Sequence, residues 1–187
     1  MDADRVGAAF AAVPREWFLS RAQRRRASYD GPLDIGHGQT NSQPRTVEAM
    51  LRLLDVRPGD RVLDVGSGSG WTTGLLAHLC GPRGSVLGLE LVPDLVDLGR
   101  RHLARHDWPW ARIEAASPGR LGDPTRAPYD RILVSAEARE LPTELVGQLT
   151  ATGRMVIPVD GEMLLLESNG GEPAISSHGR YRFVPLR

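Results

Sequence analysis

Lysine is absent from the 187 residues, so all 23 Lys/Arg-type cations are arginines. Schiff-base and amine-nucleophile chemistry is thereby excluded, as is the Gly-Lys-Ser/Thr ending with which a P-loop holds phosphates. Cysteine occurs once, as Cys80, which rules out an intramolecular disulfide and a cysteine-based zinc cluster within the chain, and no metal is implied. Charge of one sign is not in excess: 23 acidic residues balance the arginines, so no global field draws the protein toward nucleic acid or anionic lipid. No apolar run approaches the roughly 18 residues of a membrane span. The opening Met1-Asp2-Ala3-Asp4-Arg5 is acidic where a secretory leader is basic. These deficits predict a protein of the reducing cytoplasm with neither a nucleic-acid nor a membrane partner.

What is present suits an independently folding globular unit. Hydrophobic residues make up 41% and charged residues 25% of the chain, so a single domain over residues 1–187 is expected. The one dense basic run, Arg24-Arg25-Arg26 preceded by Arg21, reads as a solvated face.

Along the chain, residues 4–12 read as a helix, and Val13-Pro14-Arg15-Glu16-Trp17-Phe18 reads as a packed arm. Residues 29–43 read as a loop shaped for contact. Pro44 suits the first turn of a helix in which Val47, Met50, Leu51 and Leu54 recur at helical spacing until Pro58-Gly59. Strand and helix then alternate. Strands are expected at 61–65, 85–90, 113–115, 131–135, 154–158, 162–167 and 181–184, and helices at 72–79, 93–106 and 143–150. This pattern specifies an α/β fold: a mostly parallel sheet, helices on both faces and an antiparallel C-terminal edge. Residues 1–58 form the arm, substrate loop and first long helix, 59–160 a ligand-binding core, and 161–187 the closing strands.

The first core strand, Val62-Leu63-Asp64-Val65, runs into Gly66-Ser67-Gly68-Ser69-Gly70 directly before a helix. Glycines at such a turn reach positive φ and admit a ligand where a Cβ would clash. A dinucleotide fingerprint begun at Gly66 would need glycine where Trp71 stands, and one begun at Gly68 meets Thr73, which disfavours a pyrophosphate. The next strand ends in Glu90, whose carboxylate can accept both ribose hydroxyls of a nucleoside. Asp64 is placed on the rim of the same pocket. Two carboxylates beside a nucleoside site suit an ammonium and a sulfonium, which describes S-adenosylmethionine.

The chain resembles class I S-adenosylmethionine-dependent methyltransferases with a Rossmann-like domain, and among them the protein-L-isoaspartate O-methyltransferases. The resemblance runs from Val13-Pro14-Arg15 through Ile35-Gly36-His37-Gly38-Gln39-Thr40-Asn41-Ser42-Gln43-Pro44, the glycine loop and Asp130-Arg131-Ile132-Leu133-Val134 to Arg182-Phe183-Val184-Pro185-Leu186. It implies that Ser42 is the active-site serine that orients the substrate carboxylate. It further implies that Gly66, Gly68, Gly70 and Glu90 bind the cofactor, and Asp64, Ser67, Leu91 and Ser117 are expected to contact it beside them. The peptide is then expected along His37, Thr40, Asn41 and Ser42 and near Val184 and Pro185. Methyl transfer to a carboxylate needs positioning more than a base, in keeping with five scattered histidines. His37 reads as a loop-organising hydrogen bonder, and Ser42 also suits an N-cap for the helix from Pro44.

Two departures from the family pattern bear on substrate. Ala116-Ser117-Pro118 replaces Gly-Asp-Gly, whose Asp would recognise the adenine amine, and Ser135-Ala136-Glu137 replaces Thr-Ala-Ala. Glu137 repels an anionic substrate if it faces the site. Arg45 could compensate, although an exposed helix position is the plainer reading. The resemblance therefore implies methylation of an isoaspartyl carboxylate, closure of the ester to a succinimide, and repair. The alternatives are a dedicated carboxylate acceptor, such as Asp in a natural-product peptide, and a catalytically silent binding protein of the same fold.

Overall fold

A computed structural model describes residues 4–187; Met1, Asp2 and Ala3, part of the acidic opening, lie outside the described residues. Helix α1 (Arg5–Ala12) begins at Asp4, whose carboxylate accepts the Gly7 amide. A 3-10 turn over Arg15–Phe18 follows. The stretch read as loop contains a hairpin, β1 (Leu33–Gly36) and β2 (Gln39–Asn41), turned by three consecutive positive-φ residues, Gly36, His37 and Gly38. Next come α2 (Pro44–Leu54), β3 (Arg61–Val65), α3 (Trp71–Cys80), β4 (Ser85–Glu90), α4 (Pro93–Leu103), β5 (Ala111–Ala115) and β6 (Tyr129–Val134). The chain closes with α5 (Thr143–Val146), β7 (Leu149–Val159), β8 (Glu162–Glu167) and β9 (Ala174–Arg180).

Seven strands form one sheet in the order β5-β4-β3-β6-β7-β8-β9. Strands β3 to β7 run parallel, and β8 and β9 turn the edge antiparallel, the architecture that alternating elements predict. Side chains alternate between two cores, as the pleat requires. Val62, Val86, Leu133 and Val156 pack toward α1 to α4, whereas Leu63, Leu87, Ile132 and Met155 pack on the opposite face. That second face is covered by the short α5, which contributes Val146, and by connecting loops, including Leu121 and Leu141. The chain leaves β3 toward β4 and β5, then returns to lay β6 against the other side of β3. This reversal opens a crevice at the carboxyl ends of β3 and β6, where open α/β sheets bind ligands.

Three boundaries correct the sequence reading. The helix expected at 143–150 stops at Val146, because Gln148 turns inward to bond the Asp123 amide and the Leu121 and Glu144 carbonyls. Leu149 then pairs with Tyr129 as the first residue of β7. The strand expected at 181–184 is not formed; the closing strand is β9, and the amides of Tyr181 and Phe183 are taken by the Gly161 carbonyl and the Glu137 carboxylate. Helix α4 ends at Leu103, short of the expected residue 106.

Candidate active site

The turn after β3 is built from backbone that only glycine adopts freely: φ is +80° at Gly66, +53° at Gly68 and +94° at Gly70. Gly66 and Ser67 donate their amides to the Leu89 carbonyl at the end of β4. Gly68 donates to Glu90 Oε2 at 2.9 Å, and Val92 donates to Oε1 at 2.9 Å. Glu90 thus ties the glycine loop to the start of α4, and each of its oxygens keeps a further acceptor direction for a ligand.

A single cavity lies over this junction. Its floor is Gly66, Ser67, Gly68 and Ser69, with Glu90, Leu91 and Val92 at one side and Ser135 and Ala136 at the other. Ala116, Arg120, Leu121 and Gly122 close one end, the β1–β2 hairpin reaches over with Ile35 and Gln39 to Ser42, and the tail Val184 to Arg187 completes the wall. Of the residues expected from sequence, Thr40, Asn41, Ser42, Gly66, Ser67, Gly68, Glu90, Leu91, Val184 and Pro185 meet here from four separate parts of the chain.

Four chosen residues do not line it. Asp64 is fully buried rather than on the rim: it shares a strand face with Val62, beneath α3, where Thr72 and Thr73 donate hydroxyls to Oδ2 at 2.7 Å. Burial pushes its carboxyl up to about 6, the nearby Glu90 charge adds to this, and the two hydroxyls oppose it. Gly70 is a packing position, since a Cβ there would stand 3.0 Å from Ile113 Cδ1 and 3.4 Å from Gly99 Cα. Ser117 is exposed, and its carbonyl accepts the Arg120 amide in a turn, so Ala116 rather than Ser117 faces the cavity. His37 stands at the hairpin tip, where Nε2 lies 3.1 Å from Asp94 Oδ2 at the start of α4. That contact suits its reading as a loop organiser and not a direct substrate contact.

The remaining expectations resolve by position. The N-cap of α2 is Gln43, not Ser42, and the first-turn amide of Arg45 is taken by Asp30 Oδ1. Capping therefore leaves the Ser42 hydroxyl free. Arg45 pairs with Asp30 in solvent. Glu137 is no part of the cavity wall: its carboxylate accepts the Phe183 amide, and its backbone bonds Val184 and Leu186, which pins the tail.

Sequence reasoning missed the residue that holds the serine loop. Arg15, 5% exposed, donates through Nε to Asn41 Oδ1 and through Nη2 to the Gly31, Asn41 and Ser42 carbonyls, all within 2.8 Å. Asn41 passes the network on by donating to Ser69 Oγ at 3.2 Å, so the arm, the serine loop and the glycine loop form one polar unit. The available signal is an Arg15-Glu16 pair set between the apolar Val13-Pro14 and Trp17-Phe18 of the arm.

The family model described as protein-L-isoaspartate(D-aspartate) O-methyltransferase matches residues 1–187. The chain belongs to this isoaspartate O-methyltransferase family. The protein-L-isoaspartate O-methyltransferase of Methanopyrus kandleri is 43% identical over 98% of the chain and 83% of its own length. A solved protein-L-isoaspartate O-methyltransferase shares the fold with a TM-score of 0.89 at 24% identity; the match covers 99% of this chain and 62% of that one. A Plasmodium falciparum chain of the same family name, solved in complex with S-adenosyl-L-homocysteine, has a TM-score of 0.81 at 28% identity and covers 100% of this chain and 92% of its own. For a member of the isoaspartate O-methyltransferase family, the serine loop and the glycine loop share one cavity here.

Proposed function

We propose that the protein transfers a methyl group from S-adenosylmethionine to the side-chain carboxylate of an L-isoaspartyl residue in a damaged protein or peptide. The resulting ester closes to a succinimide, part of which reopens as normal aspartate. The observation that carries this reading is the joining of Ser42 to the Gly66-Ser67-Gly68 and Glu90 pocket in one cavity, where the only charged residues among those described are Glu90, Arg120 and Arg187.

The cavity fits the cofactor on its own terms. Gly68 has no Cβ in the wall, Ser67 presents a buried hydroxyl without a partner, and Glu90 keeps acceptor capacity for a pair of ribose hydroxyls. When bound, the cofactor supplies a methyl group activated by a sulfonium. Gly66 to Ser69 and Glu90 hold and orient it, while the hairpin and the tail exclude water. Ser42 donates a hydrogen bond to the acceptor carboxylate, which is ionised at neutral pH and requires no base. Among the described residues no His or Asp lines the cavity, so the wall supplies position and not proton transfer.

In this reading residues 1–58 supply the arm and acceptor loop, 59–160 the cofactor core, and 161–187 the closing strands. The partner is a peptide or protein, not nucleic acid or a membrane, on the strength of the balanced charge. No helix among the described residues is long and apolar enough to cross a membrane. The cytoplasm is the proposed compartment because a single cysteine, Cys80, leaves the chain without an intramolecular disulfide. A matched pair of isoAsp and Asp peptides incubated with methyl-labelled cofactor tests the proposal. Base-labile label on the isoAsp peptide alone supports it; label on neither removes it.

A further inference from the structure

Among the described residues, six buried side-chain polar atoms lack a hydrogen-bond partner, and two of them belong to the cavity wall: Ser67 Oγ and Ser135 Oγ. Ser67 lies on the nucleoside side, where a Cβ on Gly88 of β4 would stand 3.0 Å from its Cβ. Ser135 lies on the opposite side of β3. It is the first residue after β6, and its amide donates to the Val65 carbonyl at 2.9 Å. That bond sets it beside Gly66, whose missing Cβ would stand 3.9 Å from Ser135 Cβ. Two residues on, Glu137 is bonded to the tail at Phe183, Val184 and Leu186. Ser135 thus stands between the reactive end of the nucleoside pocket and the segment nearest an incoming peptide. A buried hydroxyl with no partner is costly, and such exceptions mark places where a ligand completes the bonding.

We infer that Ser135, together with Ser42, binds the acceptor carboxylate and fixes which of its oxygens faces the methyl group. This rests on the methyltransferase reading above. Two neutral hydroxyl donors suit the chemistry better than an arginine would. A guanidinium paired bidentately with the carboxylate occupies both oxygens and draws off the electron density that must attack, whereas one hydroxyl leaves lone pairs free. In the step itself one carboxylate oxygen forms the new O–C bond as the S–C bond breaks. The bonding pair leaves with sulfur as a neutral thioether, and no proton moves. Neither serine changes its protonation state, so Ser135 contributes through position alone.

The test compares wild type with Ser135→Ala and Ser135→Thr in three measurements: kcat/KM with an isoAsp peptide, Kd for S-adenosylhomocysteine by calorimetry, and Tm. For Ser135→Ala we expect kcat/KM to fall at least tenfold, Kd to stay within twofold and Tm not to fall. Ser135→Thr, which keeps the hydroxyl, should restore kcat/KM to within about fivefold. If the alanine variant fails to fold, Ser135→Cys gives the same reading, because a thiol is a weak donor. Unchanged kcat/KM in the alanine or cysteine variant overturns the inference. A tenfold weaker Kd also overturns it, by assigning the hydroxyl to the cofactor tail. An inactive wild type takes down the methyltransferase reading and this inference together; an active wild type with an equally active alanine variant takes down the inference alone.

Discussion

Arg15 Nε donates to Asn41 Oδ1 at 2.7 Å across 26 residues of sequence, and this bond joins the N-terminal arm to the loop that carries Ser42. The guanidinium is buried against Trp71, its centre 5.4 Å from the ring centroid, and takes backbone carbonyls in place of a contacting carboxylate. Burial pushes its pKa down to about 10, with the Asp30 charge working the other way, so it stays protonated at neutral pH.

Arg15→Ala should therefore cost about 3 kcal/mol or more of stability, because it orphans several buried carbonyls at once. Urea unfolding measures the loss, and faster amide exchange in residues 39–42 would locate it. Arg15→Lys should recover little, since an ammonium cannot reach the same fork of acceptors. A lysine variant as stable as wild type would contradict this account of the arm.

The buried Asp64 gives stability an unusual pH slope. Its carboxyl is raised from 3.8 to about 6 in the folded protein, chiefly by burial. Between those values the unfolded chain is ionised while the folded one still holds its proton, so Asp64 lowers stability as pH rises from about 4 to 6. Beyond that the penalty levels off at roughly 3 kcal/mol. The unfolding free energy of wild type minus that of Asp64→Asn should fall over this window, and a flat difference would contradict the burial argument.

The glycines of the loop should separate into two kinds. Gly68→Ala places a methyl in the cavity wall, 3.2 Å from Ile35 Cδ1, at a φ of +53° that alanine tolerates at about 1 kcal/mol. Calorimetry should show S-adenosylhomocysteine binding weakened at least tenfold while the protein stays folded. Gly70→Ala sets its methyl 3.0 Å from Ile113 Cδ1 and against Gly99 Cα at 3.4 Å, at a φ of +94° that a side-chain-bearing residue adopts only with strain. It should cost about 2 kcal/mol or more and leave the affinity of the folded fraction within about threefold.

Glu137 should prove a tail anchor and not an active-site acid. Glu137→Gln keeps an acceptor for the Phe183 amide and should leave kcat/KM for an isoAsp peptide within about twofold. Glu137→Ala releases the Phe183 amide while the backbone bonds to Val184 and Leu186 remain, and should raise KM modestly with little change in kcat. A large rise in activity in both variants would instead mean that the carboxylate repels substrate.

Local signals carried the central fold. Strand β3 has the ends that its apolar run implies, helix α2 starts at Pro44 as expected but stops at Leu54, where Asp55 turns left-handed ahead of Pro58-Gly59, and the loop before α3 has the positive φ that its glycines imply. The closing strand was hidden because every residue of β9 is exposed, so Ala174-Ile175-Ser176-Ser177 shows no burial alternation and is held by backbone pairing to β8. Tyr181-Arg182-Phe183-Val184 has the side chains of a strand, but its backbone is claimed by Gly161 and Glu137. Motif spacing brought Ser42 and Glu90 to one cavity. Asp64 was misplaced because proximity in sequence outweighed strand parity, which sets Asp64 with Val62 on the helix side. Ser135 and Arg15 became visible only through partners distant in sequence.

A crystal structure with S-adenosylhomocysteine and an isoAsp peptide tests the central claim most directly. The account predicts ribose hydroxyls on Glu90, the thioether sulfur above Gly66 to Gly68, and the isoaspartyl carboxylate against Ser42. Density for the nucleoside elsewhere, or a peptide carboxylate remote from Ser42 while the cavity holds the nucleoside, would contradict it.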